Sequence, residues 1–223
     1  GHHHQCAGAA RGAFALPGTE RRYERSLPFR FTHMELDLRV HLDQKRVRGH
    51  VTHSLERVAK SVHELALDAV DFAIHTVEVD SGKGFAKADF EYDDRVLSVS
   101  MPPRFQTGRV RVHYEAEPTR GLYFLAPDDK VPNRPRQVWS QCQDEDARHW
   151  FPCHDKPHVK MTTEIRVDVP EGFTVLSNGD LRDRVDELGL VADDLGKPLT
   201  ANAYLGAFGI AALLRAGADV VVT

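Results

Sequence analysis

No apolar run in this sequence of 223 residues approaches the roughly 18 consecutive apolar residues of a transmembrane helix. No secretory signal is visible, and there is no low-complexity tract or convincing internal repeat. Acidic residues only slightly outnumber basic ones, 33 to 29, and the net charge is −4. Since nucleic-acid binding leaves a broad basic footprint, the sequence predicts neither nucleic acid nor membrane among the partners.

Cysteine is scarce as well. The three cysteines are Cys6, Cys142 and Cys153, an odd number that does not suit the disulfide framework of a small secreted domain. Reduced thiols are the normal state of cysteine in the cytosol. The sequence therefore predicts a cytoplasmic protein.

The chain contains enough apolar residues to build a hydrophobic core. Hydrophobic residues make up 41% and charged residues 28% of the sequence, which argues against disorder. At roughly 100–200 residues per domain, the length predicts one large domain, or a domain with a further segment.

Most of the sequence alternates between apolar and polar residues. Met34, Leu36, Leu38 and Val40 are separated by polar residues, which predicts a strand that buries these four side chains and exposes Glu35, Asp37 and Arg39. Similar runs follow at residues 47–55, 63–70, 73–79, 90–101, 109–117 and 160–170. Closely spaced strands without helical periods predict a mostly β fold, an antiparallel sandwich or saddle-like sheet.

One stretch, residues 136–157, concentrates reactive side chains: two Trp, two Cys, two His and four acidic residues. Three interpretations are open. Cysteine and histidine are zinc ligands, and candidates here are Cys142, His149, Cys153, His154 and His158. Alternatively, Cys142, His149 and Asp146 supply the parts of a nucleophilic centre. In the third interpretation Trp139, Trp150, Phe151 and Pro152 only cap a core.

The same stretch carries a family resemblance. Gly121-Leu122-Tyr123-Phe124 and residues 139–181 resemble the amino-terminal β domain of the aminopeptidase N family, zinc metallopeptidases that include leukotriene A4 hydrolase. The matching positions are Gln141, Gln143, Ala147, Arg148, Phe151, Pro152, Cys153, Asp155, Pro157, Lys160, Ser177, Asn178 and Gly179. With the preceding strands, the resemblance covers residues 26–181.

The resemblance implies a function for the stretch. In such enzymes this loop reaches into the active site of the catalytic domain, where Gln141 and Gln143 would line the pocket for the substrate's free α-amine and first side chain. Many family members carry Glu at the position of Gln143, which pairs with an ammonium as a charge-assisted bond. The leukotriene A4 hydrolase branch has Gln there, as this sequence does. The implied partners are peptide N-termini.

The residue types set expectations for the rest of the stretch. Trp139, Phe151 and Pro152 should anchor the base of the loop, and Asp155 should be structural, with Arg148 as its charge partner. A carboxylate at a turn that contains proline can accept backbone N–H bonds.

The family's zinc motif, H-E-x-x-H, does not occur in the sequence. We therefore expect no catalytic residue, no metal ligand and no cofactor bound by this chain; zinc belongs to the complete family enzyme. The chain is then the substrate-side domain of a zinc aminopeptidase, inactive alone. The alternative is a non-catalytic β-sandwich module that binds peptides or proteins, or a hybrid gene product.

The two ends differ from this domain. Residues 1–25 are predicted to be flexible or extended. Residues 182–223 form a divergent tail, with a buried helix at about 202–216 and a parallel strand at about 219–222. The run from Ala201 to Thr223 resembles a segment of the acyclic terpene utilisation family, and no site is assigned to it.

Overall fold

The computed structural model describes residues 27–182 and 220–222, and within them strands are nearly all of the regular secondary structure. A single turn of 3-10 helix covers Ala147–His149. The strands are β1 Phe29–His41, β2 Arg46–Arg57, β3 Glu64–Asp68, β4 Phe72–Asp80, β5 Phe85–Lys87, β6 Phe90–Tyr92, β7 Val96–Ser100, β8 Thr107–Ala116, β9 Gly121–Leu125, β10 Gln137–Gln141, β11 Thr162–Asp168, β12 Val175–Ser177 and β13 Val220–Val222. The mostly β prediction is confirmed.

The largest sheet has six strands in the order β11-β1-β2-β8-β4-β5. Its pairs are antiparallel, as the sequence predicts, except that β11 pairs with β1 in parallel. Parallel neighbours need a long crossover connection. Here the chain between β8 and β11 supplies it, and that connection carries β9, β10 and the reactive stretch.

Along β1, side chains alternate between the buried and the solvent-facing side of the sheet, as predicted. Met34, Leu36, Leu38 and Val40 are all buried, and Arg39 is exposed, whereas Glu35 and Asp37 are half-buried. Because side chains alternate along a strand, the six-stranded sheet has an apolar inner face and a polar outer face.

A three-stranded sheet, β3-β7-β6, closes the core. Leu65, Leu67, Leu97 and Val99 from this sheet are buried in the same hydrophobic cluster as the inner face of the six-stranded sheet. Burial of apolar area of this kind is the main force that stabilises the fold.

The third sheet has four strands in the order β12-β13-β10-β9. Strands β9 and β10 are antiparallel, whereas β13 runs parallel to both β10 and β12. β13 lies within residues 219–222, for which the sequence predicts a parallel strand. The helix predicted at 202–216 and the segment 1–25 lie outside the described residues. Over the described ranges, no helix is long and apolar enough to cross a membrane.

Candidate functional site

The candidate site begins where β10 ends. Gln141 is the last residue of β10 and lies opposite Gly121, the first residue of β9. Trp139 stacks on Tyr123 with the ring centres 4.7 Å apart. Since side chains alternate along a strand, Gln141 and Trp139 share one face of β10. Val138 and Ser140 share the other, which is fully buried. Gln141 is half-buried and Gln143 is exposed.

Gly121 lets the chain after Gln143 fold back against the start of β9. Its φ is +75°, and a Cβ at this position would lie 2.1 Å from the carbonyl oxygen of Asp146 and 2.9 Å from Cδ1 of Trp150. Only glycine adopts such a backbone without steric cost while leaving room for this contact. Next to it, the Arg120 guanidinium lies 2.9 Å from Oδ1 of Asp146.

Backbone hydrogen bonds attach the segment to the three-stranded sheet. Cys153 and Asp68 exchange two of them, with N···O distances of 2.6 and 3.0 Å. The N–H of Val70 donates to the carbonyl oxygen of Arg148 over 2.9 Å. Satisfied backbone groups are required where a loop is buried, and these bonds fix residues 148–153 against the end of β3.

Arg148 organises a partly buried ionic cluster. Its Nε donates to Oδ2 of Asp155 over 3.0 Å, and its backbone N–H donates to the same oxygen over 3.1 Å. The guanidinium also lies 3.7 Å from Oδ1 of Asp68 and pairs with Glu145, which accepts from Nζ of Lys156 over 2.6 Å. The predicted contact between Arg148 and Asp155 is confirmed.

Asp155 is held at an electrostatic cost. Burial raises the pKa of its carboxyl, against the opposing effect of the Arg148 hydrogen bonds and charge. Its backbone N–H donates to Oδ2 of Asp68 over 3.1 Å. A buried carboxylate needs such partners because desolvation disfavours its charged form.

The aromatic anchor of the segment is Trp150, which the sequence analysis named among residues that cap a core but not among the anchors of the loop. Trp150 is 4% exposed; its carbonyl oxygen accepts from the Tyr114 hydroxyl over 2.9 Å, and its Nε1 donates to Sγ of Cys142 over 3.3 Å. Phe151 and Pro152 are buried beside it, as predicted. Trp139 was expected in this anchor but is half-buried on the opposite face of β10 from the fully buried Val138 and Ser140, because its position on the strand sets its direction.

A buried histidine supports the anchor from the six-stranded sheet. Nε2 of His53 lies 2.8 Å from the carbonyl oxygen of Pro152. Burial lowers the pKa of His53 to about 4, so the ring is neutral at pH 7. Because a carbonyl only accepts, Nε2 carries the proton and donates.

The geometry decides against a nucleophilic centre at Cys142. Burial raises the pKa of this thiol to about 11, whereas a nucleophilic cysteine needs a lowered pKa. Its Sγ contacts Nε1 of Trp150 and the carbonyl oxygen of Gly121. Asp146 does lie 3.9 Å from His149, but this pair does not lower the pKa of the Cys142 thiol.

The zinc interpretation lacks a ligand set as well. In the part of the chain that the structure describes, no group of three or more His, Cys, Asp and Glu side chains could hold a metal ion. A catalytic zinc needs three protein ligands. The described residues therefore do not fit the family's catalytic zinc.

Comparison with known proteins identifies the framework. The family model of the Peptidase M1 N-terminal domain matches residues 30–204, more than half of the chain. The chain belongs to this family. The match begins within β1 and includes every residue of the candidate site, so the M1 N-terminal domain contains both Gln141 and Gln143.

The curated relatives of this M1 N-terminal domain are aminopeptidases. The chain is 30% identical over 156 residues to leucine aminopeptidase 2-2 of Scheffersomyces stipitis, covering 67% of this chain and 24% of the relative. It is 27% identical over 156 residues to the puromycin-sensitive aminopeptidase of Caenorhabditis elegans, covering 66% and 16%. The chain thus spans a quarter or less of these relatives.

Solved structures share the fold. Yeast leukotriene A4 hydrolase in complex with bestatin has a TM-score of 0.58 at 23% identity, covering 70% of this chain and 26% of that one. The M1 zinc metallopeptidase of Deinococcus radiodurans has a TM-score of 0.52 at 22% identity, covering 66% and 33%. The domain boundary at residue 181 and the terpene-family resemblance of the tail stay predictions.

Proposed function

We propose that this chain is the substrate-side domain of a zinc aminopeptidase, and that Gln141 and Gln143 receive the free α-amine and first side chain of a peptide. The observation that supports it is the position of the two glutamines. Gln141 ends β10 and Gln143 follows two residues later, just before a segment that hydrogen bonds of Arg148 and Trp150 hold in place. Residues on a rigid frame can orient a substrate at small entropic cost.

The chemistry of the two side chains suits an amine. A glutamine side-chain oxygen accepts hydrogen bonds, and a protonated amine offers three donors. Gln143 is exposed and Gln141 is half-buried, so an arriving ammonium would keep part of its hydration. Two neutral acceptors of this kind support weak, millimolar binding, about −4 kcal/mol.

Hydrolysis needs more than these glutamines. The sequence contains no H-E-x-x-H, and the described residues offer no three ligands for a catalytic zinc. In this proposal the chain positions the substrate and supplies neither the metal nor the general base. We further propose a cytoplasmic location, which the free thiols of Cys142 and Cys153 support.

We expect the purified chain to hydrolyse no leucine arylamide above the buffer rate, with or without added zinc. A fluorogenic assay checks this, with a complete zinc aminopeptidase as the positive control. The reason is the missing ligand set. Zinc-dependent turnover that copurifies with the chain through two independent columns would contradict the proposal.

Replacing both glutamines with alanine tests the binding function. Because Gln143 is exposed and Gln141 is partly exposed, the free energy of unfolding should change by no more than about 0.5 kcal/mol. The affinity for leucine amide should fall at least about fivefold, since two hydrogen-bond acceptors are lost. Denaturant titration and NMR titration measure the two quantities.

Two controls make this test specific. N-acetyl-leucine amide lacks the ammonium and should bind neither protein. Gln137→Ala removes a glutamine from the same face at the other end of β10 and should leave leucine amide binding unchanged. If the double variant unfolds, the glutamines are structural; if it binds leucine amide as tightly as the parent, the site lies elsewhere.

A further inference from the structure

The polar outer face of the six-stranded sheet contains a hollow of about 460 Å³, remote in sequence from Gln141 and Gln143. Four strands supply it: β2, β4, β5 and β8. The residues that line it include His50, His75, Glu78, Lys87 and His113. The proposed aminopeptidase function uses none of these side chains.

Two of the histidines form a cross-strand pair. His50 on β2 is directly opposite His113 on β8, and their ring centres are 5.2 Å apart. With metal–nitrogen distances of about 2.0–2.1 Å, two imidazoles bound to one tetrahedral ion have ring centres about 5 Å apart. The backbone register therefore holds the two rings at the spacing that one ion requires.

Glu78 fixes the protonation of one ring. Nε2 of His113 lies 3.1 Å from Oε2 of Glu78. Because an ionised carboxylate only accepts, Nε2 carries the proton and Nδ1 keeps its lone pair. A carboxylate behind an imidazole is the usual outer-shell partner of a metal-binding histidine.

We propose that His50 and His113 bind a divalent transition-metal ion across β2 and β8, with Glu78 orienting His113 and water completing the coordination. Two protein ligands make this a weak, exchangeable site, unlike a catalytic zinc centre. Copper(II) should bind more tightly than zinc, as expected for imidazole ligands. The ion would stabilise the folded chain because the ligand pair exists only in the folded sheet.

Charged groups around the pair determine its pH dependence. Burial lowers the pKa of His50, Arg111 and His113 lower it further, and Asp37 and Glu35 from β1 oppose them. His113 faces Glu78 from β4 and His50 from β2. Metal binding needs unprotonated imidazole, so protons compete with the ion and the affinity should fall as the pH is lowered.

The experiment titrates Zn²⁺, and separately Cu²⁺, into the full chain by calorimetry. Because His2, His3 and His4 would also bind these ions, every protein carries alanine at those three positions. We expect one site per chain with a micromolar to submillimolar dissociation constant. His50→Gln and His113→Gln should each weaken it at least tenfold, and Glu78→Gln about tenfold.

His33→Gln is the matched control. His33 is on β1 of the same sheet, and the residue opposite it on β2 is Ser54, not a histidine. Its replacement should therefore leave metal affinity unchanged. Thermal unfolding without metal shows whether each variant is folded. Equal affinity in the parent, His50→Gln and His113→Gln would overturn the proposal, as would the absence of any binding up to millimolar ion. Neither result bears on the amine site, because the two sites share no residue.

Discussion

Gly121→Ala should destabilise the fold by about 3–5 kcal/mol. A methyl group there would lie 2.1 Å from the carbonyl oxygen of Asp146, a backbone atom that cannot rotate away. The residue also has a φ of +75°, which costs a non-glycine residue about 1–3 kcal/mol by itself. Moving Asp146 would disturb the segment that carries Arg148 and Trp150, so the clash adds to the backbone strain.

Gly84→Ala separates the two effects. Gly84 has a φ of +94°, but an added Cβ would have no atom within 4 Å. This variant should therefore lose only the backbone contribution, about 1–2 kcal/mol. Urea unfolding of both variants gives the comparison. Equal losses for Gly121→Ala and Gly84→Ala would show that the contact between Gly121 and Asp146 is unimportant.

Arg148→Leu should also cost about 3–5 kcal/mol at pH 8. The substitution leaves Asp68 and Asp155, 3% and 8% exposed, without the guanidinium that lies between them. Removing one partner of a buried ion pair is strongly destabilising because it leaves an uncompensated charge. Urea titrations of the parent and the variant at each pH measure the difference in free energy of unfolding.

The deficit should shrink as the pH falls. Burial already raises the pKa of Asp155 while Arg148 lowers it, so losing Arg148 raises that pKa further. A carboxyl with a raised folded-state pKa binds its proton more tightly in the folded chain than in the unfolded one. Stability of the variant therefore increases from pH 8 towards pH 5, relative to the parent.

Adding Asp155→Asn to Arg148→Leu gives the control. The double variant lacks the raised carboxyl, so its deficit should be smaller at pH 8 and nearly independent of pH. A deficit below about 1 kcal/mol for Arg148→Leu, or one that does not vary between pH 8 and 5, would contradict the ionic cluster as the element that fixes the segment.

The sequence predicted the strands in which apolar and polar residues alternate, but it did not predict β5, β9 and β10, which lie outside those runs. In β1, alternation alone placed Leu36 and Leu38 inside and Arg39 outside, and the structure agrees. The parallel pairing of β11 with β1 has no such signal. It depends on which strand the chain meets after a long connection, and the alternation of apolar and polar residues does not indicate this.

The candidate site was predictable only in part. Asp155 was predicted to be structural with Arg148 as its charge partner, because it lies between Cys153 and a turn that contains proline, and the contact is present. The roles of Trp139 and Trp150 were not separable by composition, since both are tryptophans in one dense stretch. The role of Trp139 depends on the face of β10 that it occupies. The role of Trp150 depends on its hydrogen bonds with Tyr114 and Cys142, which only the tertiary structure defines.

The most direct test of the amine site is the affinity of Gln143→Glu for leucine amide. A carboxylate at this exposed position would add a charge-assisted bond to the ammonium, worth about 0.2–1 kcal/mol when exposed. Gln137→Glu adds the same charge to β10 away from Gln143 and is the matched control. We expect Gln143→Glu to bind leucine amide about 1.4- to fivefold more tightly than the parent at low salt. This gain should fall at high salt, and Gln137→Glu should show none. Equal affinities for the two variants would contradict the assignment of Gln143 to the substrate amine.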